Sequence, residues 1–286
     1  MVSRLMTCAL RLLIGSAIFF SAASALSAQE KFSSIPKWHD LQKGLSFWEP
    51  DAPEKSILND SKLFILKADP KLCKFQILSA SEHGRRNRTA EEWSREFKVN
   101  VAVNAGMFNL GNKKTNKGYL KNYSHYNNSH LNLNYNVMMA MNPKNSSDTA
   151  MIISDMTCRN WELTKTDYHT LCQGMRMIDC NGNKMAWDKH PEQSCSMVIG
   201  ATDIAGNIYF IFSRSPYTHQ KMIGFLISLI PDIRTTVYLE GGPEAGLYVQ
   251  TADTIISKIG SYVSKTYAND NNDHFWKIPN VIGIHF

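Results

Sequence analysis

Long apolar runs are absent from this 286-residue sequence. A helix that crosses a bilayer needs roughly 20 consecutive apolar residues. The two longest runs, LLIGSAIFF at 12–20 and MIGFLISLI at 222–230, are much shorter. The sequence therefore predicts no stable membrane span in the mature protein.

Basic clusters are also scarce, although the net charge is +6. The locally basic run HGRRNR at 83–88 stands without a groove-reading helix or a recognisable RNA-binding module. A solvated loop is the expected structure of this run. We therefore expect no nucleic-acid partner.

Motifs for zinc and serine chemistry are missing as well. The sequence has no Cys-x-x-Cys, no His-x-x-x-His and no Gly-x-Ser-x-Gly elbow. The histidines of the polar segments therefore have no ligand spacing and are expected at the surface: His125, His130, His169 and His219.

The N-terminus has the order of residues that is typical of a secretory signal peptide. Arg4 and Arg11 precede the apolar run 12–20, and the small-residue stretch SAASALSAQE follows it. We predict a signal peptide over 1–28, with cleavage after Ala25 or Ala28, and an exported protein that is periplasmic or secreted. An uncleaved membrane anchor is the alternative.

Removal of the signal peptide leaves five cysteines, which is an odd number. Export to an oxidising compartment permits disulfides, but at least one thiol must stay unpaired or join another chain. The pairing cannot be read from the spacing of these residues: Cys73, Cys158, Cys172, Cys180 and Cys195.

Short alternations of apolar and polar residues dominate the rest of the chain and indicate strands. Turn signals at Asn181-Gly182 and in IAGN (204–207) predict two hairpins, the first leading into the strand NKMAWD. Helices are predicted in TAEEWSREF (89–97), at the start of WELTKTD (161–167) and in YTHQKMIGFLISLI (217–230).

The predicted fold class is α+β, a strand-rich single domain with mixed or antiparallel sheets and a few flanking helices. It covers residues 60–286, after an extended lead-in over 29–59. The Asn-rich stretch 110–136 is predicted as a long surface loop, or as loops around short strands. It is either functional or a variable insertion.

Two predicted strand ends share one design. The strand VAVN ends at Asn104 and is followed by Ala105-Gly106, and VYLE ends at Glu240 and is followed by Gly241-Gly242. The sheet holds such a polar side chain at its rim. Glycines directly after it permit positive φ and the close approach of a ligand to backbone N–H groups.

These motifs resemble elements of the phosphodiester glycosidase family, in the same order along the chain. The resemblance lies in VNAGMFN (103–109), CQGMRMIDCNGN (172–183), MVIGATDIAGNIYFIFSRSP (197–216) and VYLEGGPEAGLYV (237–249), within residues 60–286. It implies a hydrolase that cleaves a sugar-phosphodiester, and a glycan or sugar-phosphodiester as partner. On an exported protein, the substrate would be an envelope glycan or an exopolysaccharide.

The resemblance also implies a set of site residues. Asn104, Arg176 and Glu240 take catalytic roles, while the substrate-binding residues are Gly106, Gly241, Gly242 and Arg214. An arginine can hold phosphate oxygens bidentately, and a carboxyl group can act as acid or base. For Arg214, a purely structural role at the strand end is the alternative.

Three departures from the family pattern affect the expected chemistry. Glu240 stands where the family has Asp, the basic residue expected just before Ile199 is missing near Cys195, and Glu244 follows the Gly-Gly-Pro turn. A second carboxylate repels phosphate unless a cation lies between them. The default expectation for Glu244 is a solvated turn residue. Otherwise Glu240 and Glu244 are candidate ligands for a divalent cation, or they mark a different substrate or a loss of activity. A catalytically inactive glycan-binding or accessory protein on the same fold is the alternative function.

Overall fold

The computed structural model describes residues 36–112, 114–187 and 190–286. The predicted signal peptide lies outside these residues. No helix in the described part of the chain is long and apolar enough to cross a membrane.

Two sheets, both antiparallel, form the frame of the described chain. The larger has eleven strands and the smaller has five. In chain order the strands are β1 (His39–Gln42), β2 (Leu45–Trp48), β3 (Phe64–Ala68), β4 (Lys74–Ser79), β5 (Val101–Asn104), β6 (Leu120–Asn122), β7 (His125–Asn128), β8 (Val137–Pro143), β9 (Met151–Asp155), β10 (Tyr168–Ile178), β11 (Ser194–Asp203), β12 (Ile208–Thr218), β13 (Ile233–Gly241), β14 (Gly246–Gln250), β15 (Ile255–Ile259) and β16 (Asn280–His285).

The strand order places the predicted site strands at the centre of each sheet. The large sheet runs β1-β2-β3-β12-β11-β13-β10-β6-β7, with β8 paired to β10 and β9 paired to β8. The small sheet runs β15-β14-β5-β16-β4. Strands β1 and β2 lie in the predicted lead-in and extend one edge of the large sheet.

The principal core lies between the two sheets. Val198 and Phe210 of the large sheet share one buried cluster with Val103 and Leu247 of the small sheet. Since alternate strand residues face opposite sides, each sheet also has an outer apolar face that must be covered. Helices cover both outer faces.

Helix α1 (Ala90–Phe97) packs Trp93 against Tyr248 and Val281 of the small sheet. Helix α3 (His219–Leu229) places Met222 and Leu226 on the large sheet. Helix α2 (Trp161–Asp167) leads directly into β10.

The helix predictions are confirmed, and the capping and terminating residues of α1 and α3 are visible in the sequence. Thr89 caps α1 in a capping box: its side chain accepts from the Glu92 N–H, and the Glu92 carboxylate accepts from the Thr89 N–H. Helix α3 begins after the N-cap Thr218 and ends before Pro231, which cannot continue it.

The fold-class prediction is confirmed in part. The strand-rich domain and the antiparallel arrangement are present, and the three helices of the described chain make the fold mostly β, so that α+β describes it loosely. The prediction of a strand in NKMAWD is wrong for its described residues, 183–187, and Asp188 lies outside the described part of the chain. Only a single bridge, between Ile178 and Lys184, follows the Asn181-Gly182 turn.

One disulfide, between Cys158 and Cys180, joins the segment after β9 to the segment after β10. Three free thiols in the described residues are buried: Cys73, Cys172 and Cys195. The five cysteines after the predicted signal peptide therefore form one disulfide and leave three free thiols, and all three thiols are buried.

Candidate active site

The two similar strand ends are neighbours in space. Strand β14 pairs with β5, and the turn between β13 and β14 therefore lies over the end of β5. The side chain of Asn104 holds this turn: its Nδ2 donates to the Glu244 carbonyl at 2.9 Å, and its Oδ1 accepts from the Gly246 N–H at 2.8 Å. Asn104 is buried and acts as a support for the turn.

Glu240 lies at a bulge in β13. Ile199 pairs with Tyr238 and Val198 with Glu240, so that Leu239 is an extra residue in β13. A bulge bends the strand and changes the direction of the next side chain, a common device beside functional sites. The Glu240 Oε1 accepts a hydrogen bond from the Gly241 N–H at 3.1 Å.

The carboxyl group of Glu240 has an unusual proton affinity. Burial raises its pKa to about 8, against the lowering effect of the Gly241 N–H, and the nearby charge of Glu244 raises it further while that of Lys117 lowers it. Desolvation disfavours the charged form of an acid. At pH 7 most Glu240 side chains therefore carry a proton and can donate it.

Arg176 lies at a second bulge, on β10. Arg176 pairs with Val237 and Ile178 with Thr236, which leaves Met177 as the extra residue. The Arg176 Nη1 donates to both carboxylate oxygens of Asp155, each at 2.7 Å, and to the Thr157 hydroxyl at 3.0 Å. The Arg176 Nε is buried without a hydrogen-bond partner.

Asp155 is the anchor of this arginine, and its side chain has 0% exposure. Burial raises the pKa of Asp155, but hydrogen bonds from Thr157 and Arg176 outweigh it and keep the pKa below its ordinary value. The carboxylate therefore stays ionised. It also accepts from the Cys180 N–H at 3.3 Å, beside the disulfide.

A cavity of about 620 Å³ brings Arg176 and Gly241 together. Basic and amide side chains line it: Lys117, Arg176, Asn134 and Asn136. Aromatic and apolar side chains line it as well: Met107, Met175, Met185, Ala186, Trp187, Tyr238 and Val263. The other lining residues are His190, Gln193, Cys195, His219 and Gly241. This combination suits a ligand with an anionic group and an uncharged ring.

The Asn-rich stretch 110–136 contributes the basic side chain Lys117 and two amides to the lining of this cavity. Buried polar contacts hold the stretch in place. Asn127 accepts from the Asn116 N–H at 2.7 Å, and the Gln173 Oε1 accepts from the N–H groups of Tyr119 and Asn132 at 3.0 and 2.9 Å. The position of the stretch favours the functional interpretation over a variable insertion.

The glycines after Glu240 are needed for close packing. A Cβ on Gly241 would lie 2.1 Å from the Tyr238 hydroxyl, and a Cβ on Gly242 would lie 2.3 Å from a Val263 methyl group. Gly242 also has a φ of +72°. Protein atoms thus fill the space that the sequence suggested for a ligand, although Gly241 still lines the cavity. Gly106 has a φ of +144° beside Asn116.

Arg214 lies away from this cavity, beside another of about 440 Å³. Its Nη1 donates to the Ile259 carbonyl at 2.8 Å, and its Nη2 donates to the carbonyls of Asp270 and Asn272 at 3.0 and 2.9 Å. It also pairs with the Asp270 carboxylate at 2.9 Å. These contacts tie β12 to the end of β15 and to the segment after it.

The expectation of a surface histidine is wrong for His219, which is only 6% exposed. Its ring stacks on Trp187 at 4.1 Å and meets Tyr238 edge to face at 4.7 Å. Burial lowers the pKa of His219 to about 4. The ring is neutral at pH 7. Its place at the start of the apolar helix α3 was the sequence signal for burial.

A divalent cation finds few ligands here. The group of three acidic, Cys or His side chains close enough to share an ion in the described residues is Asp155, Cys158 and Cys180. Its two cysteines form the disulfide. Glu240 and Glu244 belong to no such group among the described residues.

Solved structures resemble this fold, whereas sequence comparisons find no relative. No protein-family model matches the sequence, and no curated protein matches it. Solved structures do match. One is the catalytic domain of zebrafish N-acetylglucosamine-1-phosphodiester alpha-N-acetylglucosaminidase, auto-inhibited by its pro-peptide, with a TM-score of 0.59 and 14% identity over 87% of this chain and 85% of that one.

This chain shares the fold of that catalytic domain. A second match is a hypothetical protein from Synechocystis, with a TM-score of 0.57 and 11% identity over 87% of this chain. The match spans 63% of the Synechocystis chain. At these identities the likeness concerns the fold alone. It supports the predicted phosphodiester glycosidase resemblance at that level.

Proposed function

We propose that this protein is an exported hydrolase that cleaves a sugar-phosphodiester bond in an envelope or extracellular glycan. The observation that carries the proposal is the position of Glu240 beside Gly241, which lines the cavity together with Lys117 and Arg176. Glu240 itself is not among the lining residues, but the charge of Lys117 acts on its carboxyl, whose pKa burial raises to about 8. Cleavage of such a bond needs cationic groups for the phosphoryl oxygens and an acid for the leaving oxygen. The shared fold adds support.

The residues divide the chemistry between them. Lys117 and Arg176 bind the phosphoryl oxygens, and Asp155 keeps the Arg176 guanidinium in place through its Nη1. Water attacks the sugar carbon, and the bond from that carbon to the bridging oxygen breaks. The electron pair stays on the oxygen, which takes the Glu240 proton. The water hydroxyl remains on the sugar, and solvent accepts the second proton and reprotonates Glu240.

A binding protein without catalysis is the second candidate function, and two observations favour it. The Glu240 carboxyl bonds to the N–H of its own turn, and the Asn104 carboxamide bonds to the backbone of that turn. Both side chains of the family-like motifs are thus engaged within the protein. This protein would hold an envelope glycan without cleaving it.

Product release from a panel of sugar 1-phosphodiesters separates the two functions. The purified protein without residues 1–28 is incubated with each substrate, with and without EDTA, and free sugar is measured by mass spectrometry. Hydrolysis predicts release that Glu240→Gln abolishes. Absence of release from every substrate, together with measurable binding, contradicts hydrolysis and supports the binding role.

A further inference from the structure

The cavity is lined by a buried imidazole, that of His219, which makes no hydrogen bonds. His219 is 6% exposed and lines the cavity, and neither its Nδ1 nor its Nε2 has a hydrogen-bond partner. Trp187 covers one face of the ring at an interplanar angle of 4°. A buried donor or acceptor without a partner is destabilising, because the group has lost its hydrogen bonds to water. Such a cost needs an explanation in function or structure.

The chemistry of the imidazole restricts its partner. The neutral ring has one N–H donor and one acceptor nitrogen. A hydroxyl group can serve either nitrogen because it both donates and accepts. A metal ion is a poor partner because His219 belongs to no group of candidate ligands among the described residues. An anion is also disfavoured here, since the surrounding Trp187, Tyr238 and Met185 provide no charge to offset it.

The cavity also has the positive charge that His219 lacks. Lys117 and Arg176 line it, so that an anionic group has cationic partners other than the imidazole. Aromatic side chains stack on the apolar faces of rings while polar groups fix orientation. The aromatic, polar and cationic side chains together match a ring with hydroxyl groups that is joined to a phosphate.

We propose that His219 is a specificity-determining residue, whose imidazole exchanges hydrogen bonds with hydroxyls of the ligand ring beside Trp187 and Tyr238. The inference rests on the proposed function for the ligand class, a sugar joined to phosphate. It concerns binding and does not require that the bond be cleaved.

Binding measurements with five probes test this role. Isothermal titration uses the 1-phosphates of glucose, galactose, mannose and N-acetylglucosamine, and inorganic phosphate serves as the probe of Lys117 and Arg176. His219→Phe keeps an aromatic ring but removes both nitrogens. We expect it to weaken binding of at least one sugar phosphate about 10-fold, the loss expected for one hydrogen bond. The affinity for inorganic phosphate should stay within twofold.

Two control variants separate the ring from the phosphate. Arg176→Lys should weaken both sugar phosphate and inorganic phosphate, because it alters one of the two cationic side chains. His125→Phe changes a histidine that bonds to Ser81 outside the cavity, and it should change neither affinity. Equal losses for sugar phosphate and inorganic phosphate in His219→Phe would overturn the proposal, as would no loss for any sugar phosphate.

A measurement on the unaltered protein covers the case in which His219→Phe does not fold. With ¹⁵N-labelled histidine, the ring nitrogen signals of His219 should move on addition of a sugar phosphate and stay in place with inorganic phosphate. Signals that no sugar phosphate moves contradict the role of His219. If binding and shifts occur but no substrate is cleaved, only the proposed hydrolysis fails.

Discussion

The strand ends at Asn104 and Glu240 have one design in sequence and two roles in structure. Asn104 is buried and bonds to the backbone of the facing turn at Glu244 and Gly246. Glu240 follows a bulge, and its carboxyl has a pKa of about 8. A polar residue before glycines therefore marks a special turn, but its neighbours decide whether its side chain supports the turn, as for Asn104, or has a raised pKa, as for Glu240.

The largest expected difference between the two residues is in turnover. Glu240→Gln removes the proton donor and should lower the rate of sugar release about 1,000-fold at pH 7, a loss within the usual range for general acid catalysis. Asn104→Ala should lower the rate of sugar release less than 10-fold, measured at a temperature at which this variant is folded. Initial rates under saturating substrate measure both. Equal losses of rate in the two variants would contradict the different roles of Glu240 and Asn104.

The turn after Glu240 should be intolerant of a methyl group. Gly242→Ala combines a φ of +72° with a clash at 2.3 Å against Val263. We expect it to lower the free energy of unfolding by about 3 kcal/mol, from backbone strain and overpacking together. Gly206→Ala is the matched control, because Gly206 has a φ of +84° and nothing within 4 Å of its Cβ position. It should cost about 1 kcal/mol, and urea denaturation compares the two.

The supporting role of Asn104 predicts a loss of stability. Asn104→Ala leaves the Gly246 N–H and the Glu244 carbonyl without their side-chain partner, which should cost about 2 kcal/mol in the free energy of unfolding. Asn100→Ala, next to β5, removes one bond to the Gln250 carbonyl and should cost about 1 kcal/mol. Urea denaturation measures both variants. A cost for Asn104→Ala no larger than that of Asn100→Ala would contradict the supporting role.

Substitution of Glu240 should raise the free energy of unfolding, whereas substitution of Asn104 should lower it. Its pKa rises from 4.5 to about 8 on folding, so the folded state binds the proton more tightly and stability falls as the pH rises between these values. Glu240→Gln removes this loss. After allowance for the partial exposure of Glu240, we expect it to stabilise the protein by about 1.5 kcal/mol at pH 7.5 and by nothing at pH 4. Thermal unfolding at both pH values provides the measurement, and a pH-independent difference would contradict the raised pKa.

The strand and helix prediction succeeded where local chemistry decides the structure. The capping residues Thr89 and Thr218 begin their helices, and the hairpin from β11 to β12 follows from its alternation and its IAGN turn. The strand predicted in NKMAWD does not form. Trp187, in this segment, packs on His219 instead, a tertiary contact that a local turn signal does not contain.

The candidate site was less accessible to sequence reasoning because its geometry arises between distant segments. Arg176 and Arg214 both lie on long strands. Arg176 lines the cavity of the candidate site, whereas Arg214 donates hydrogen bonds to the carbonyls of Ile259 and Asp270, away from that cavity. Lys117 comes from a loop without periodicity. Its position depends on Asn and Gln contacts that span the chain, such as those of Gln173 with Tyr119 and Asn132.

The most direct test of the account is a titration of the Glu240 carboxyl itself. In protein labelled with ¹³C at the glutamate carboxyl carbon, the signal missing from Glu240→Gln identifies this residue. We predict that the signal titrates with a pKa of about 8, so that the Glu240 carboxyl is mostly protonated at pH 7. A midpoint near the ordinary glutamate pKa, about 4 to 5, would show an ionised carboxylate and contradict its role as the proton donor.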